Sequence, residues 1–230
     1  MSDGPESAVT ARGISMSGPW GPVYGPVDLD IPAGGVTALV CPAGSGRTAL
    51  LMTLAGRMRP KTGTLSVFGH TRPRRIFDAA ALAGIDEIDQ VVESVTVRDA
   101  LTEQLRWDAA WYRLVRRADD AQLRAVCGPV FGDLPLPPLT EFVEELTELD
   151  RLLLRIALAD TSRPPLLVIG NLDYVTSDRN RELLVERLID LGRSQTVVTA
   201  TVNGVAHPAV HQIAVANTSR AELVHGRKGE

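Results

Sequence analysis

The stretch from Val36 to Gly56 constrains this chain most. Val36-Thr37-Ala38-Leu39-Val40 is a nearly continuous apolar run, the texture of a strand buried on both faces of a sheet. Cys41-Pro42-Ala43-Gly44-Ser45-Gly46-Arg47-Thr48 follows, rich in small residues. Ala49-Leu50-Leu51-Met52-Thr53-Leu54-Ala55 then carries a helical pattern that stops at Gly56. A buried strand that turns through glycines straight into a helix belongs to folds in which helices alternate with strands. The rest of the chain keeps that alternation, so a mostly parallel sheet in an α/β domain is expected.

The loop has a chemistry of its own. A phosphate-wrapping P-loop needs glycines so that backbone N–H groups can close around the anion. It needs a helix N-terminus behind them, a cation on the outer phosphates and a hydroxyl for Mg²⁺. Gly44, Gly46 and Thr48 stand where that pattern wants them. Arg47 takes the lysine position and Cys41 the first glycine position. Arginine keeps the charge but presents a planar fork in place of a point charge. A second reading is open, a glycine-rich turn that binds nothing. Lys61 and Lys228 are the only lysines in the chain, so Arg47 also fits a general bias toward arginine.

Composition narrows the class. Of 230 residues, 44% are hydrophobic and 23% charged, which supplies a sizeable core and argues against disorder of the whole chain. The net charge of −4 gives no basic face, so no nucleic-acid partner is expected. No apolar run reaches the ~18 residues of a membrane-spanning helix. The opening MSDGPESAVT is polar and acidic, so no secretory leader is expected. Cys41 and Cys127 lie far apart and offer neither a disulfide framework nor metal-ligand spacing. A reducing cytoplasm is the default.

Organisation follows from pattern. Residues 1–8 read as a loose tail and 226–230 as another. Pro19 to Pro26 is rich in Gly and Pro and holds Trp20 and Tyr24. Val27 to Ile31 alternates apolar and polar, as a half-buried strand does. Thr62 to Gly69 reads as a turn and a strand. From about 97 to 158 the texture turns helical: Leu101, Leu105, Trp111 and Leu114 recur at helical spacing, and Pro135, Pro137 and Pro138 interrupt before a further helix. This block reads as a helical subdomain inserted in the α/β domain. Leu166 to Ile169 and Thr196 to Thr201 read as strands, with an amphipathic helix from Asp178 to Leu191 between them. Gln212 to Ala216 and Ala221 to Val224 suggest a closing hairpin around Asn217-Thr218-Ser219.

From Val27 to about Val224 the order of pieces resembles the ATP-binding subunits of ABC transporters. Val27 to Gly69 carries most of the resemblance: a strand, an Ile-Pro-x-Gly turn, a strand, the P-loop, a helix ending Leu54-Ala55-Gly56, a Pro…Thr-Gly turn and a strand ending Phe68-Gly69. Leu166 to Ile169 resembles the Walker B strand, and Val95-Thr96-Val97-Arg98-Asp99 the lead-in to the helical subdomain. The resemblance implies a P-loop NTPase sheet with helices on both faces and an N-terminal antiparallel β portion. It implies one nucleotide-binding domain over residues 9–225 with its helical subdomain at about 97–158.

The same resemblance marks what is missing. The family places Asp then Glu after the Walker B strand, one helping to hold Mg²⁺ and the other acting on the attacking water. Gly170 and Asn171 stand there. Asp173 is the nearest carboxylate, either a substitute Mg²⁺ contact or a cap for the following loop. The signature LSGGQ aligns with Leu146-Thr147-Glu148-Leu149-Asp150, where Thr147-x-x-Asp150 also reads as a helix-capping pattern. Val202 stands at the switch histidine, with His207 and His211 assigned to a surface turn after Gly204. Gln90 is the glutamine nearest the Q-loop position. Trp20 and Tyr24 are candidates for stacking on adenine, or for packing in a Pro-rich loop.

The resemblance implies ATP as ligand at residues 41–48, with Mg²⁺ reached through Thr48. It implies an integral-membrane permease as partner, pairing of two ABC domains as homodimer or heterodimer, and a cytoplasmic place against the membrane. The departures make weak or lost hydrolysis the expectation. Two alternatives stay open: an ATP-hydrolysing motor with unusual residues, and an ABC-fold interaction module that binds no nucleotide.

Overall fold

Strands that are apolar throughout need cover on both faces, and the fold provides it. The computed structural model describes residues 7–19, 21–41, 46–85 and 94–215. In chain order the elements are β1 (Ser7–Gly18), β2 (Gly21–Pro32), β3 (Val36–Val40), α1 (Arg47–Leu54), β4 (Thr62–Val67), α2 (Pro73–Asp78), β5 (Ala80–Ala83), α3 (Val97–Asp108), α4 (Asp120–Phe131), α5 (Glu148–Ala159), β6 (Leu166–Asn171), α6 (Asp178–Gly192), β7 (Thr196–Thr201) and β8 (Val210–Ala214).

Five strands form one parallel sheet in the order β5-β6-β7-β3-β8. Its side chains alternate between two cores, as a period of two requires. Leu166 and Val168 of β6 face the core shared with α1, β1, β2 and β4, while Leu167 and Ile169 face the core shared with α3 to α6. The antiparallel sheet β2-β1-β4 covers the first face together with α1 and α2. The helix-rich segment covers the second, with α5 against β5 and α6 against β7 and β3. The α/β architecture, the antiparallel β portion and the helices on both faces are all present.

Several boundaries differ from the sequence reading. Ser7 and Ala8 belong to β1 and not to a tail, because Ser7 pairs with Pro32 and Ala8 is fully buried. β2 starts at Gly21, inside the Gly/Pro-rich stretch. α3 ends at Asp108, where Ala109 turns extended at ψ 148°. Trp111 and Leu114 therefore leave the helical face and stand in solvent. β8 runs parallel to β3, with Val210 opposite Val36. The rest of the expected closing hairpin, 216–224, lies outside the described residues.

Candidate functional site

The C-terminal ends of β3, β6 and β7 meet at the head of α1, and each brings a residue type that the sequence singled out. Gly46 begins the helix with φ +116°. A Cβ there would run into the carbonyl of Val23 on β2, so only glycine lets the loop close onto that strand. Arg47 and Thr48 open α1, both half-buried. Pro42, Ala43, Gly44 and Ser45 lie outside the described residues, as do Trp20 and Gln90. Cys41 is buried at the end of β3, where its N–H donates to the Thr201 carbonyl at 2.9 Å. Burial pushes its thiol up to about 11, against a smaller opposing pull from Arg47. At neutral pH it is a protonated, inert packing group.

Arg47 does not stand alone. Its Nη1 donates to Oδ2 of Asp173 at 3.1 Å, with the two side chains only 17% and 25% exposed. The same oxygen accepts the Val202 N–H at 2.8 Å. Oδ1 lies 3.0 Å from the Thr201 hydroxyl. That hydroxyl is also 2.6 Å from the Asn203 carbonyl, so its one proton serves one acceptor at a time. Asn171 accepts the Asp173 N–H through Oδ1 at 3.0 Å. Burial by itself would push the Asp173 carboxyl up. The bonds from Val202, Thr201, Arg47 and the Asn171 turn outweigh it and hold the group below its ordinary value. Asn171 thus caps the turn that holds Asp173, while the Asp173 carboxylate ties that turn to the end of β7 and neutralises the P-loop cation.

The donor set for a divalent cation is thin. Gly170 has no side chain, and both oxygens of Asp173 already have protein partners. Thr48 remains as a single hydroxyl. As arranged, these residues do not make a Mg²⁺ site, and no cluster of three or more His, Cys, Asp or Glu occurs among the described residues. A carboxylate cannot simply be put back at 170. A Cβ on Gly170 would collide with the carbonyl oxygen of Gly84, and would stand 2.7 Å from its carbon. The Gly170 carbonyl accepts the buried Thr199 hydroxyl at 2.7 Å, which pins the backbone from the β7 side.

The segment aligned with the signature is turned to internal tasks. Thr147 caps α5, its Oγ1 accepting the Asp150 N–H at 3.1 Å and donating to Asp150 Oδ2 at 2.8 Å. The capping pattern read from the sequence is therefore real. Leu149 points into the core at 5% exposure. Glu148 reaches across to Thr176, accepting its N–H at 3.1 Å and its hydroxyl at 3.0 Å. The Thr176 N–H, then its hydroxyl, hold the Glu148 carboxyl below its ordinary value. Neither side chain projects as a bare replacement for the signature glycines.

The remaining candidates separate. Tyr24 is 4% exposed, and its hydroxyl donates to Thr53 at 2.8 Å. It packs beneath α1 and presents no free ring face for adenine. Val202 contributes its backbone N–H to Asp173 and nothing ionisable. His207 lies in the turn after Gly204, where Nδ1 accepts the Ala209 N–H at 3.2 Å. His211 lies not in that turn but exposed on β8. Sequence reading missed the Gly84–Gly170 contact and the Glu148–Thr176 bridge. Gly84, between a short apolar strand and an acidic stretch, was the only available hint of the first.

A parallel sheet in which β3 leads through glycine into a cation-headed helix defines a P-loop type nucleotide-binding domain. A family model described as ABC transporter matches residues 24–168, more than half of the chain. The chain belongs to the ABC transporter family, as a domain of its ATP-binding type. It is 27% identical over 203 residues to a sulfate/thiosulfate import ATP-binding protein of Mycolicibacterium paratuberculosis, covering 86% of this chain and 54% of that one. The chain thus spans about half the length of that relative. It is 29% identical over 149 residues to a cytochrome c biogenesis ATP-binding export protein of Pseudomonas putida, covering 62% of this chain and 67% of that one. In fold it is similar to an ATP-binding cassette of an ABC transporter solved in its ADP conformation, with TM-score 0.69, 14% identity and coverage of 98% and 100%. It is also similar to the cbiO1 part of an ABC transporter complex from Clostridium perfringens, with TM-score 0.66, 15% identity and coverage of 97% and 92%.

Proposed function

We propose that the chain is the ATP-binding subunit of an ABC-type transport or membrane-associated complex, that it holds nucleotide weakly through residues 41–48, and that it has little or no hydrolytic activity. The observation that carries this reading is the Arg47–Asp173 ion pair at the head of α1. A cation and a helix N-terminus face the place where phosphates would lie, and an internal carboxylate already competes for that cation. The carboxylates used for Mg²⁺ and water are replaced by Gly170 and Asn171. When bound, ATP would supply the anion that displaces Asp173 from Arg47, and Mg²⁺ would add little to its affinity.

The membrane permease, the paired ABC domain and the cytoplasmic place against the membrane are parts of the same proposal. They are supported by family membership and by the absence, among the described residues, of a helix long and apolar enough to cross a membrane. Import and export proteins both stand among the relatives, so the proposal names no cargo.

Titration of the purified chain with labelled ATP, with and without EDTA, tests it. Arg47→Ala should abolish binding and Arg47→Lys should preserve or improve it. Asp173→Asn should tighten it, because the internal competitor loses its charge. Equal affinity of wild type and Arg47→Ala would sink the reading. One observation favours a second reading, an interaction module without nucleotide: Arg47 is already paired with a carboxylate of its own chain, Asp173. No binding by wild type or by Asp173→Asn is the outcome that selects it.

A further inference from the structure

The end of α3 and the segment after it form the most exposed apolar feature of the described chain. Trp107 is 78% exposed, Trp111 95%, Tyr112 77% and Leu114 89%. Two of the three tryptophans in the chain lie here. The rings of Trp111 and Tyr112 touch edge to face, with centroids 5.8 Å apart. The edge of one ring covers a face of the other, and the rest of both rings stays in solvent. The segment is anchored only at its ends. Ala118 donates its N–H to Thr102 at 2.9 Å, and Arg117 pairs with Asp99 at 3.0 Å, so the chain returns along α3 with its tip outward.

Arginines interleave with these side chains. Arg106, Arg113 and Arg116 are exposed and form no salt bridge with any described residue. Asp108 is the one acid inside the tip, and the other nearby acids are paired, cap a helix or lie beyond it. Asp99 takes Arg117, Asp108 accepts the Gln104 amide at 3.0 Å, and Asp119 caps α4 together with Gln122. Glu103 and Asp120 are exposed on α3 and at the start of α4. Between Arg106 and Arg116 three arginines stand against one carboxylate, Asp108, so the tip has a formal charge of +2 in a chain whose net charge is −4.

We infer that this tip, Arg106 to Arg116, inserts into the headgroup region of an anionic lipid bilayer. Tryptophan and tyrosine are amphipathic and favour the membrane–water interface. Arginines beside them attract anionic headgroups. Exposure selects lipid over protein: aromatic and aliphatic side chains 77% to 95% exposed line no groove. A protein partner would need a matching pocket for each ring, whereas a fluid bilayer adapts to them. The contact would hold the helix-rich half of the domain against the membrane independently of any permease.

Co-sedimentation of the full chain with vesicles, without nucleotide or permease, tests the inference apart from the nucleotide reading. Binding is expected to phosphatidylcholine vesicles containing phosphatidylglycerol and not to phosphatidylcholine alone, and it should weaken as salt rises. Tryptophan emission should shift to the blue on binding, and the shift should be lost when Trp107 and Trp111 are both replaced by Ala. Trp107→Ala with Trp111→Ala should cut partition at least about tenfold. Arg113→Glu with Arg116→Glu should cut it by at least about fivefold per arginine. Arg179→Glu, an exposed arginine of α6, should leave it within about twofold. All five positions are exposed, so unchanged thermal melting checks that the variants fold. Absence of vesicle binding would overturn the proposal, as would binding indifferent to the aromatic pair. Binding only to vesicles carrying a membrane protein would overturn it in favour of a protein partner.

Discussion

At the scale of single residues, Gly170 carries the most consequence. The missing carboxylate is legible in the sequence, since Gly170 follows Leu166 to Ile169 in the expected register. That the backbone has closed over the vacancy is not legible, because Gly84 approaches from another strand. Gly170→Asp should therefore restore nothing and should destabilise the fold by about 3 kcal/mol, as overpacking of a closed site does. A thermal melt compared with that of Asn171→Glu checks it, since Asn171 is only half-buried and its variant should fold. Asn171→Glu alone should recover little turnover. Asp160 sets a second test. Burial pushes its carboxyl up to about 6, with Gln195 and Arg163 pulling weakly the other way, and Oδ1 has no partner among the described residues. A carboxyl raised in the folded state favours folding while protonated. That stability is full below the unfolded value and is lost as pH rises through the folded value of about 6. Asp160→Asn should flatten unfolding free energy between about pH 4 and 6 and raise it at pH 7 by up to about 3 kcal/mol. A wild-type slope that the variant retains would refute this.

At the scale of elements, caps were readable and long-range bridges were not. Thr147-x-x-Asp150 announces the start of α5 because the cap is a local matter of three residues. Thr147→Ala should lower stability by about 1 kcal/mol in denaturant unfolding. The place of Glu148 in the segment aligned with the signature gives no hint of its partner, Thr176, which follows β6 in the chain, and no local pattern joins them. Glu148→Ala should speed hydrogen exchange at the Thr176 amide while leaving the core amides of α6 unchanged. Trp111 and Leu114 show the converse error. Their spacing suited a helix, but Thr102 and Asp99 draw the following chain back along α3, and the pattern continues where the helix does not.

At the scale of the whole molecule, a mostly parallel sheet followed from the alternation of helices and apolar strands, while the strand order β5-β6-β7-β3-β8 did not. The division of the interior into two cores on either side of one sheet needed the coordinates. The proposed pairing with a second ABC domain sets the last prediction. If each P-loop of such a pair faces the partner's signature segment, a pair of these chains would lack carboxylates at 170 and 171 and a histidine at 202 at every site, with Glu148 and Leu149 engaged internally. Beside a competent partner, the site on this P-loop still lacks its base, a loss of about 10²–10⁴ in rate by itself. The purified chain should show no sustained Mg²⁺-dependent turnover. Rates near ~1–10³ s⁻¹ that Thr48→Ala abolishes would overturn this.

The contact between Gly84 and Gly170 also bears on how the sequence can change. A lost side chain normally leaves a gap that one codon change can refill. Here β5 and β6 have met across the gap, so a residue larger than glycine at 170 must first push the end of β5 aside. Placing a carboxylate at 170 would require a concerted shift of two strand ends, with the Thr199 hydroxyl finding a new acceptor. A change at 170 alone is therefore disfavoured, and one at 84 must accompany it. A library selected for recovered turnover should enrich substitutions at 84 and 170 together and seldom at 170 alone.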